Sequence, residues 1–322
     1  MHRRRVNEAV LSLALRPEGP LLVRAANPGA DPTRPDVEFA RTRRAGLDTV
    51  YLPGSSLKGA LRAHCERIAR TVGGEGPDRR PRLSCNPLGS APDGPGYSCN
   101  RRLHALAERA DARRAYRDSC FVCQLFGNQH EAAHLRIADT YPATAPRVEP
   151  RASVGVDRVY GSAAVGPLTY EVVTDGRFET EIALHNFTLA QFGLLALALR
   201  DLREGRLALG SGKSHGLGRV GVEITALTVH YPGSDVHDGA LATTSGAPVG
   251  PADQLYGAGA FPETGGYGFP TPDAVSLPAG VAAADDGWGG AEARVDGAAL
   301  DGLWRGCVGR WAARVQAAVG AA

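Results

Sequence analysis

The rhythm of apolar and polar positions lays out an order of elements. Residues 8–15, Glu-Ala-Val-Leu-Ser-Leu-Ala-Leu, predict a strand, with residues 20–25 as its continuation. Leu57, Leu61, Cys65 and Ile68 recur at helical spacing and predict a helix over 55–71. Residues 133–139 predict a strand, 152–160 and 167–173 a projecting hairpin, and 178–185 a half-buried strand. Thr188 as cap, inward Leu189, Phe192, Leu195, Ala196 and Leu199, and Gly205 as stop predict a helix over 188–204. A last strand runs to Tyr231. Without its insertions this is βαββαβ, an α+β fold of the ferredoxin-like or RNA-recognition-motif kind.

Residues 1–231 therefore form the expected core, with a Cys-rich insertion at 72–124 and the hairpin region at 140–177. Residues 232–322 are a Gly/Pro-rich acidic extension. Its first part, 232–292, has no period and is expected to be an irregular wrap or linker. Its end, 298–319, carries Leu300, Trp304, Cys307, Trp311 and Val315 as one stripe that docks on the core. Between the first strand and the first helix, residues 27–48 read as a long polar loop holding Asp31, Asp36, Glu38 and four Arg. Loops of that length are functional or disordered.

A 43% hydrophobic fraction over 322 residues is ample for a core. No run is apolar and long enough to span a bilayer, so a cytoplasmic protein with no membrane partner is expected. The net charge of +2 hides an asymmetry: residues 232–322 carry ten acids and four Arg, a net of −6, which leaves +8 on the first 231. A basic body fits a polyanion partner. Only two Lys accompany 34 Arg, and both, Lys58 and Lys213, lie in Gly/Ser turns. A compact ammonium fits among backbone N–H groups better than a planar guanidinium does.

Leu52-Pro53-Gly54-Ser55-Ser56-Leu57-Lys58-Gly59-Ala60-Leu61-Arg62 is a turn that runs into a helix, with Ser55 or Ser56 as the expected cap. Lys58 and Arg62 sit one turn apart beside the helix start, a place for a phosphate. The second basic turn holds Gly210, Gly212, Lys213, Ser214, His215, Gly216, Gly218 and Arg219. It is not a nucleoside-triphosphate loop, because Leu207 stands where that pattern needs Gly and a strand follows in place of a helix. A Gly-rich turn that lets a backbone phosphate approach closely remains. With aromatics at 6%, base stacking on the sheet is not expected, whereas sequence-independent backbone binding is.

Cys85, Cys99, Cys120 and Cys123 are spaced C-x13-C-x20-C-x2-C. The Cys120–Cys123 knuckle has zinc-ligand spacing, and the outer pair completes a structural tetrahedron unless His104, His130 or His134 replaces a thiolate. Buried free thiols are the alternative.

Five stretches together resemble the RAMP superfamily of CRISPR effector complexes, over about residues 6–231. They are Leu52–Gly59; Cys120-x-x-Cys123-Gln124-Leu125-Phe126-Gly127; Val156-Asp157-Arg158 with Ala163 and Glu171 before Phe178; Gly210–Val220; and Asp36-Val37-Glu38-Phe39. The resemblance, closest to the type III backbone subunit, implies several copies arrayed along one CRISPR guide RNA beside other subunits. It also implies a thumb hairpin that wedges between guide and complementary target RNA. It implies target cleavage by a loop Asp with magnesium or another divalent metal, here Asp36 with Asp31 in reserve. Ser55, Ser56, Lys58, Arg62 and the second turn would hold guide RNA, and Asp157 with Arg158 would brace the thumb as an ion pair. A non-cleaving end subunit is a variant of this reading. A stand-alone RNA-processing endonuclease using His64 or His215, and a zinc-containing scaffold, are the readings of other classes.

Overall fold

Alternation along the first strand buries Ala9, Leu11, Leu13 and Leu15, so one face of the sheet must be covered by helices. The computed structural model describes residues 4–25, 33–73, 83–89, 98–106 and 111–320. Its core elements in chain order are β1 (Glu8–Pro17), β2 (Arg41–Arg44), β3 (Leu47–Val50), α1 (Gly54–Gly73), α2 (Cys99–Leu106), α3 (Ala112–Asp118), α4 (Phe121–Phe126), β4 (Leu135–Ile137), β5 (Tyr141–Pro142), β6 (Arg147–Val156), β7 (Ala163–Asp175), β8 (Phe178–His185), α5 (Leu189–Arg203) and β9 (Val220–Pro232). The extension adds β10 (Ser234–His237), β11 (Ala240–Thr243), β12 (Pro248–Pro251), β13 (Gln254–Tyr256), β14 (Ala274–Ser276), β15 (Ala284–Asp285), β16 (Gly290–Asp296) and α6 (Leu300–Gly320).

The core strands lie in the order β9-β1-β8-β4, all antiparallel. Counted along the βαββαβ path this is 4-1-3-2, the ferredoxin-like arrangement expected from the sequence. Helix α5 begins where the pattern placed it. The Thr188 hydroxyl accepts the Gln191 amide (3.3 Å), and the Gln191 side chain accepts the Thr188 amide (3.0 Å). The opposite face of the sheet exposes Glu179, Glu181 and Glu223. Its charge is mixed: Arg177 pairs with Glu179 (3.0 Å) and Glu223 (2.8 Å), and Arg16 and Arg136 are exposed beside them.

Four expectations are corrected. Residues 20–25 do not continue β1; Leu21 bridges Val173 and Arg24 bridges Phe39. The long polar loop contains the β2–β3 hairpin, closed by Ala45 (φ 48) and Gly46 (φ 82), a turn whose Arg-rich strands show no apolar alternation. The projecting hairpin is longer than expected, β6 pairing with β7, and its turn falls at 157–162. Asp157 accepts the Val159 amide (2.6 Å) in that turn and forms no ion pair with Arg158.

The fourth correction is the extension. Residues 232–292 are folded: β16 adds to the core sheet beside β9, Gly290 facing Pro232 through to Asp296 facing Ala226, and β10–β12 form a sheet of their own. Strands of two to seven residues separated by Gly and Pro leave no readable period. The seam is polar at its centre. Asn7 donates from Nδ2 to the carbonyls of Phe187 (3.1 Å) and Tyr256 (3.0 Å), and the fully buried Tyr231 hydroxyl accepts the Tyr256 amide (2.9 Å). Residue 231 is therefore no packing boundary. Helix α6 docks on α5 as its stripe implied, burying Leu300, Trp304, Cys307 and Trp311.

The α5–α6 crossing depends on Gly193, where a Cβ would meet the Cys307 carbonyl. Gly193→Ala is expected to lower stability by about 1–3 kcal/mol through forced separation of the helices. Gly59, exposed on α1 with nothing within 4 Å of its Cβ position, is the control. There Ala is expected to add about 0.5–1 kcal/mol. Thermal or denaturant melting reads both, and equal effects would contradict the tight crossing.

Candidate nucleic-acid interface and metal centre

The turn at residues 52–54 is fixed by its neighbours. Leu52 and Thr140 exchange backbone hydrogen bonds (3.0 and 2.9 Å), and a Cβ on Gly54 would collide with the carbonyls of Ile137 and Ala138. Helix α1 starts at Gly54, whose amide donates to Asp139 Oδ1 (2.8 Å). Ser55 and Ser56 therefore lie inside the first turn, exposed, and neither is the cap. The Asp139 carboxylate already meets the positive end of the helix.

Lys58 and Arg62 turn inward. Lys58 Nζ donates to the Leu135 carbonyl (2.9 Å), and burial, followed by the charge of Arg62, lowers its pKa. Each Arg62 nitrogen has a protein partner: Nε to Glu66 (3.0 Å), Nη1 to the Gly127 carbonyl (3.1 Å) and Nη2 to Cys123 Sγ (3.5 Å). These two cations hold α1 on β4 and on the Cys knuckle. The expectation of two lysines clasping one strand is corrected accordingly: Lys58 is tied to the fold, and only Lys213 projects.

The second turn is built to project. Gly212 (φ 71) and Gly216 (φ 81) bracket a short 3-10 turn over Lys213–His215, and Lys213, Ser214, His215 and Gly216 are exposed. Gly210 (φ 75) and Gly218 (φ 93) are the fixed ends. A Cβ at the first would strike the Leu22 carbonyl and one at the second the Leu209 carbonyl. Ser211 donates to Leu22 (2.8 Å) and Gly218 to Pro20 (2.9 Å). Arg219 is exposed and pairs with Glu18 (2.7 Å).

Backbone hydrogen bonds connect the two turns. The second turn lies on residues 20–23; Ala40 donates to Val23 (2.8 Å), Tyr51 donates to Ala40 (3.1 Å), and Leu52 enters the first turn. Three steps at the ordinary strand spacing of about 4.8 Å put the turns on the order of 15 Å apart.

The acidic loop belongs to the same surface. Val37 bridges Tyr170 of β7, and Asp36 Oδ2 accepts both the amide and the hydroxyl of Thr169 (2.8 Å each). The backbone N–H of Thr169, then its hydroxyl, lower the Asp36 pKa. Asp36 is exposed, and its Oδ1 has no partner among the described residues. Below it, Glu171 accepts the Phe39 amide (3.1 Å) and pairs with Arg41 (3.1 Å). Asp31 lies outside the described residues. At the hairpin tip Val159 and Tyr160 are 80% and 84% exposed.

The cysteines converge. The sulfurs of Cys85, Cys99, Cys120 and Cys123 all lie within 4.8 Å of one another and all four residues are buried. A tetrahedral zinc with bonds of about 2.3 Å sets its sulfurs about 3.8 Å apart; Cys85 and Cys123 are 3.7 Å apart. Hydrogen bonds to Cys120, then Cys123 and Cys99, push the Cys85 thiol far down, while those to Cys123, then Cys85 and Cys99, push Cys120 well up. The cluster can hold a metal, and its backbone N–H donors and Arg62 offset thiolate charge. Among the described residues no histidine joins it: exposed His104 lies against the His130 ring (6.2 Å), His130 bonds the Asn100 carbonyl (3.1 Å), and fully buried His134 sits against the carbonyl of His185 (2.9 Å). Thr169 and Asp139 shape these sites without a sequence signal, because each acts on a residue more than 80 positions away, whereas Glu171 was already among the residues that carry the resemblance.

A family model described as the RAMP superfamily matches residues 15–221, which span both turns, the acidic loop, the hairpin and the four cysteines. No curated protein matches the chain.

The purified protein is expected to carry one zinc per chain by metal analysis. Cys120→Ser is expected to lose the metal and lower the melting temperature, and a strong chelator to do the same to the native protein. Full stability in a metal-free preparation would contradict the zinc assignment.

Proposed function

The chain belongs to the RAMP superfamily, and on that premise we propose that it is a guide-RNA-binding backbone subunit of a type III-like CRISPR effector complex that cuts target RNA at Asp36. Family membership carries a CRISPR-associated RNA-binding role, and no described helix is long and apolar enough to cross a membrane. The complex, its other subunits, arrayed copies and the complementary target belong to the proposal.

The single observation that carries it is the mounting of Asp36 on the hairpin. A carboxylate clipped to Thr169 and open at Oδ1 stands midway along an arm whose apolar tip is exposed. The tip supplies a wedge that opens a guide–target duplex, since unstacking a base requires an apolar surface to replace its neighbours. The depressed pKa keeps Asp36 ionised at neutral pH, which fits a charge-holding role better than proton abstraction. Magnesium is commonly held by one or two carboxylates plus substrate phosphates, and the free Asp36 oxygen meets that requirement. When bound, such an ion would neutralise charge on the scissile phosphate. Asp36 holds its place beside the bent target strand while the target 2′-hydroxyl gives its proton to solvent and attacks the adjacent phosphorus; the P–O5′ bond breaks, a 2′,3′-cyclic phosphate forms, and the leaving 5′-oxygen takes a proton from solvent.

Guide phosphates fall to Lys213, Ser214, the amides of the Gly-rich turn and the exposed edge of Ser55 and Ser56, with Arg219 at the rim. Zinc at the four cysteines serves as a staple. The stand-alone endonuclease reading loses His64, which is buried with Nε2 2.7 Å from Asp201.

Lys213→Ala is expected to weaken RNA binding uniformly across sequences and to reduce the salt slope by about one. Unchanged binding and slope would remove the turn from the interface. Asp36→Ala, given complementary RNA and magnesium, is expected to bind target normally and produce no regularly spaced fragments. A ladder that survives the substitution removes Asp36 as the cutting residue, and no ladder from the native complex makes this a non-cleaving backbone or end subunit.

A further inference from the structure

A cleft of ≈ 220 Å³ opens where the Cys-rich insertion meets the C-terminal extension, half of it built by residues beyond the family match. Its walls are aromatic. The rings of Tyr267 and Phe269 stack (centroids 5.9 Å, 17°), and Tyr116 stands edge-on to both (5.8 and 5.4 Å). Tyr116 is buried and anchored, its hydroxyl accepting Gln191 Nε2 (3.0 Å), whereas Tyr267 and Phe269 are only half-buried.

The polar groups in the cleft have one sign. Arg117 and Arg314 line it, and the Arg113 guanidinium lies 5.8 Å from the Tyr267 ring centroid. All three are exposed, and among the described residues no carboxylate pairs with any of them. Only Arg314 comes from residues 232–322, which carry a net charge of −6, and its guanidinium lies 5.9 Å from the Phe121 ring centroid. Gln124 spends its amide nitrogen on the carbonyls of Tyr116 (3.0 Å) and Ser119 (3.3 Å), so its Oε1 is left as an acceptor in the cleft. A second cavity of ≈ 410 Å³ shares Gly268 and Phe269 with the first and is lined by further glycines, where a ligand backbone can come close.

We infer that this cleft seats one unstacked base of single-stranded RNA, with the adjoining phosphate against Arg117 and Arg314. A flat ring satisfies the aromatic wall, a phosphate satisfies the unpaired guanidinium groups, and a nucleotide is the ligand that brings both on one short tether. An acidic protein segment satisfies the cations but brings no flat ring to the aromatic wall. The site is separate from the Gly-rich turn and from Asp36, so it adds a second contact to the RNA-binding reading on which the identity of the polymer rests.

The test uses the full-length protein with each of the four 5′-mononucleotides and with a short oligouridine. Calorimetry is expected to show saturable mononucleotide binding that Arg117→Ala with Arg314→Ala weakens at least about tenfold, with melting unchanged. In a Lys213→Ala background the same Arg117- and Arg314-dependent loss is expected to persist, which separates this site from the proposed guide interface. Ultraviolet cross-linking of the oligouridine is expected to mark Tyr267 or Phe269. Three results would overturn the inference: no mononucleotide binding at millimolar concentration, inorganic phosphate competing as well as the nucleotide, or cross-links confined to other surfaces. Capture of an acidic peptide at the cleft without nucleotide competition would assign it to a protein.

Discussion

The absence of two β-carbons holds the proposed RNA-facing surface together. At Gly210 and Gly218 the backbone passes so close to the carbonyls of Leu22 and Leu209 that a side chain has no space, and both residues sit at positive φ. That close approach lets the turn lie on residues 20–23 and join the run of extended segments leading to Leu52. With the ends pinned, Lys213, Ser214 and His215 have one direction left to face, which is solvent. The same extended run carries the acidic loop, so binding turn, candidate catalytic acid and hairpin share one support.

Cations that look available in the sequence brace this surface from behind. Lys58 closes α1 onto β4, and Arg62 spans Glu66, Gly127 and Cys123 in one reach. A bound metal at the four cysteines would therefore bear on the helix that follows the first turn. The insertion gains a fixed position from Arg62 on one side and from the Phe121–Trp311 ring contact with α6 (5.2 Å) on the other. The extension in turn completes the sheet at β9, so insertion and extension meet and create the aromatic cleft between them.

Long-period features were legible. The strand alternation of β1 and β8, the capped α5 and the stripe of α6 follow directly from side-chain spacing, and the cysteine knuckle announced its own chemistry. What stayed hidden depends on distant partners. Ser56 reads as a cap until Asp139 takes the Gly54 amide, and Lys58 reads as a phosphate ligand until Leu135 offers its carbonyl. Asp157 and Arg158 are adjacent charges that suggest a pair, yet the local Val159 amide is the nearer donor. Short Gly- and Pro-punctuated strands such as β10–β12 give too few positions for any period, and Thr169 carried no signal because its role exists only opposite Asp36.

Amide hydrogen exchange with and without a bound single-stranded RNA tests the central claim most directly. A common RNA-facing surface requires that amides of residues 211–216, residues 55–59 and the Asp36 loop gain protection together on binding. Protection of only one of the three, or of the uncovered sheet face in their place, would contradict the account.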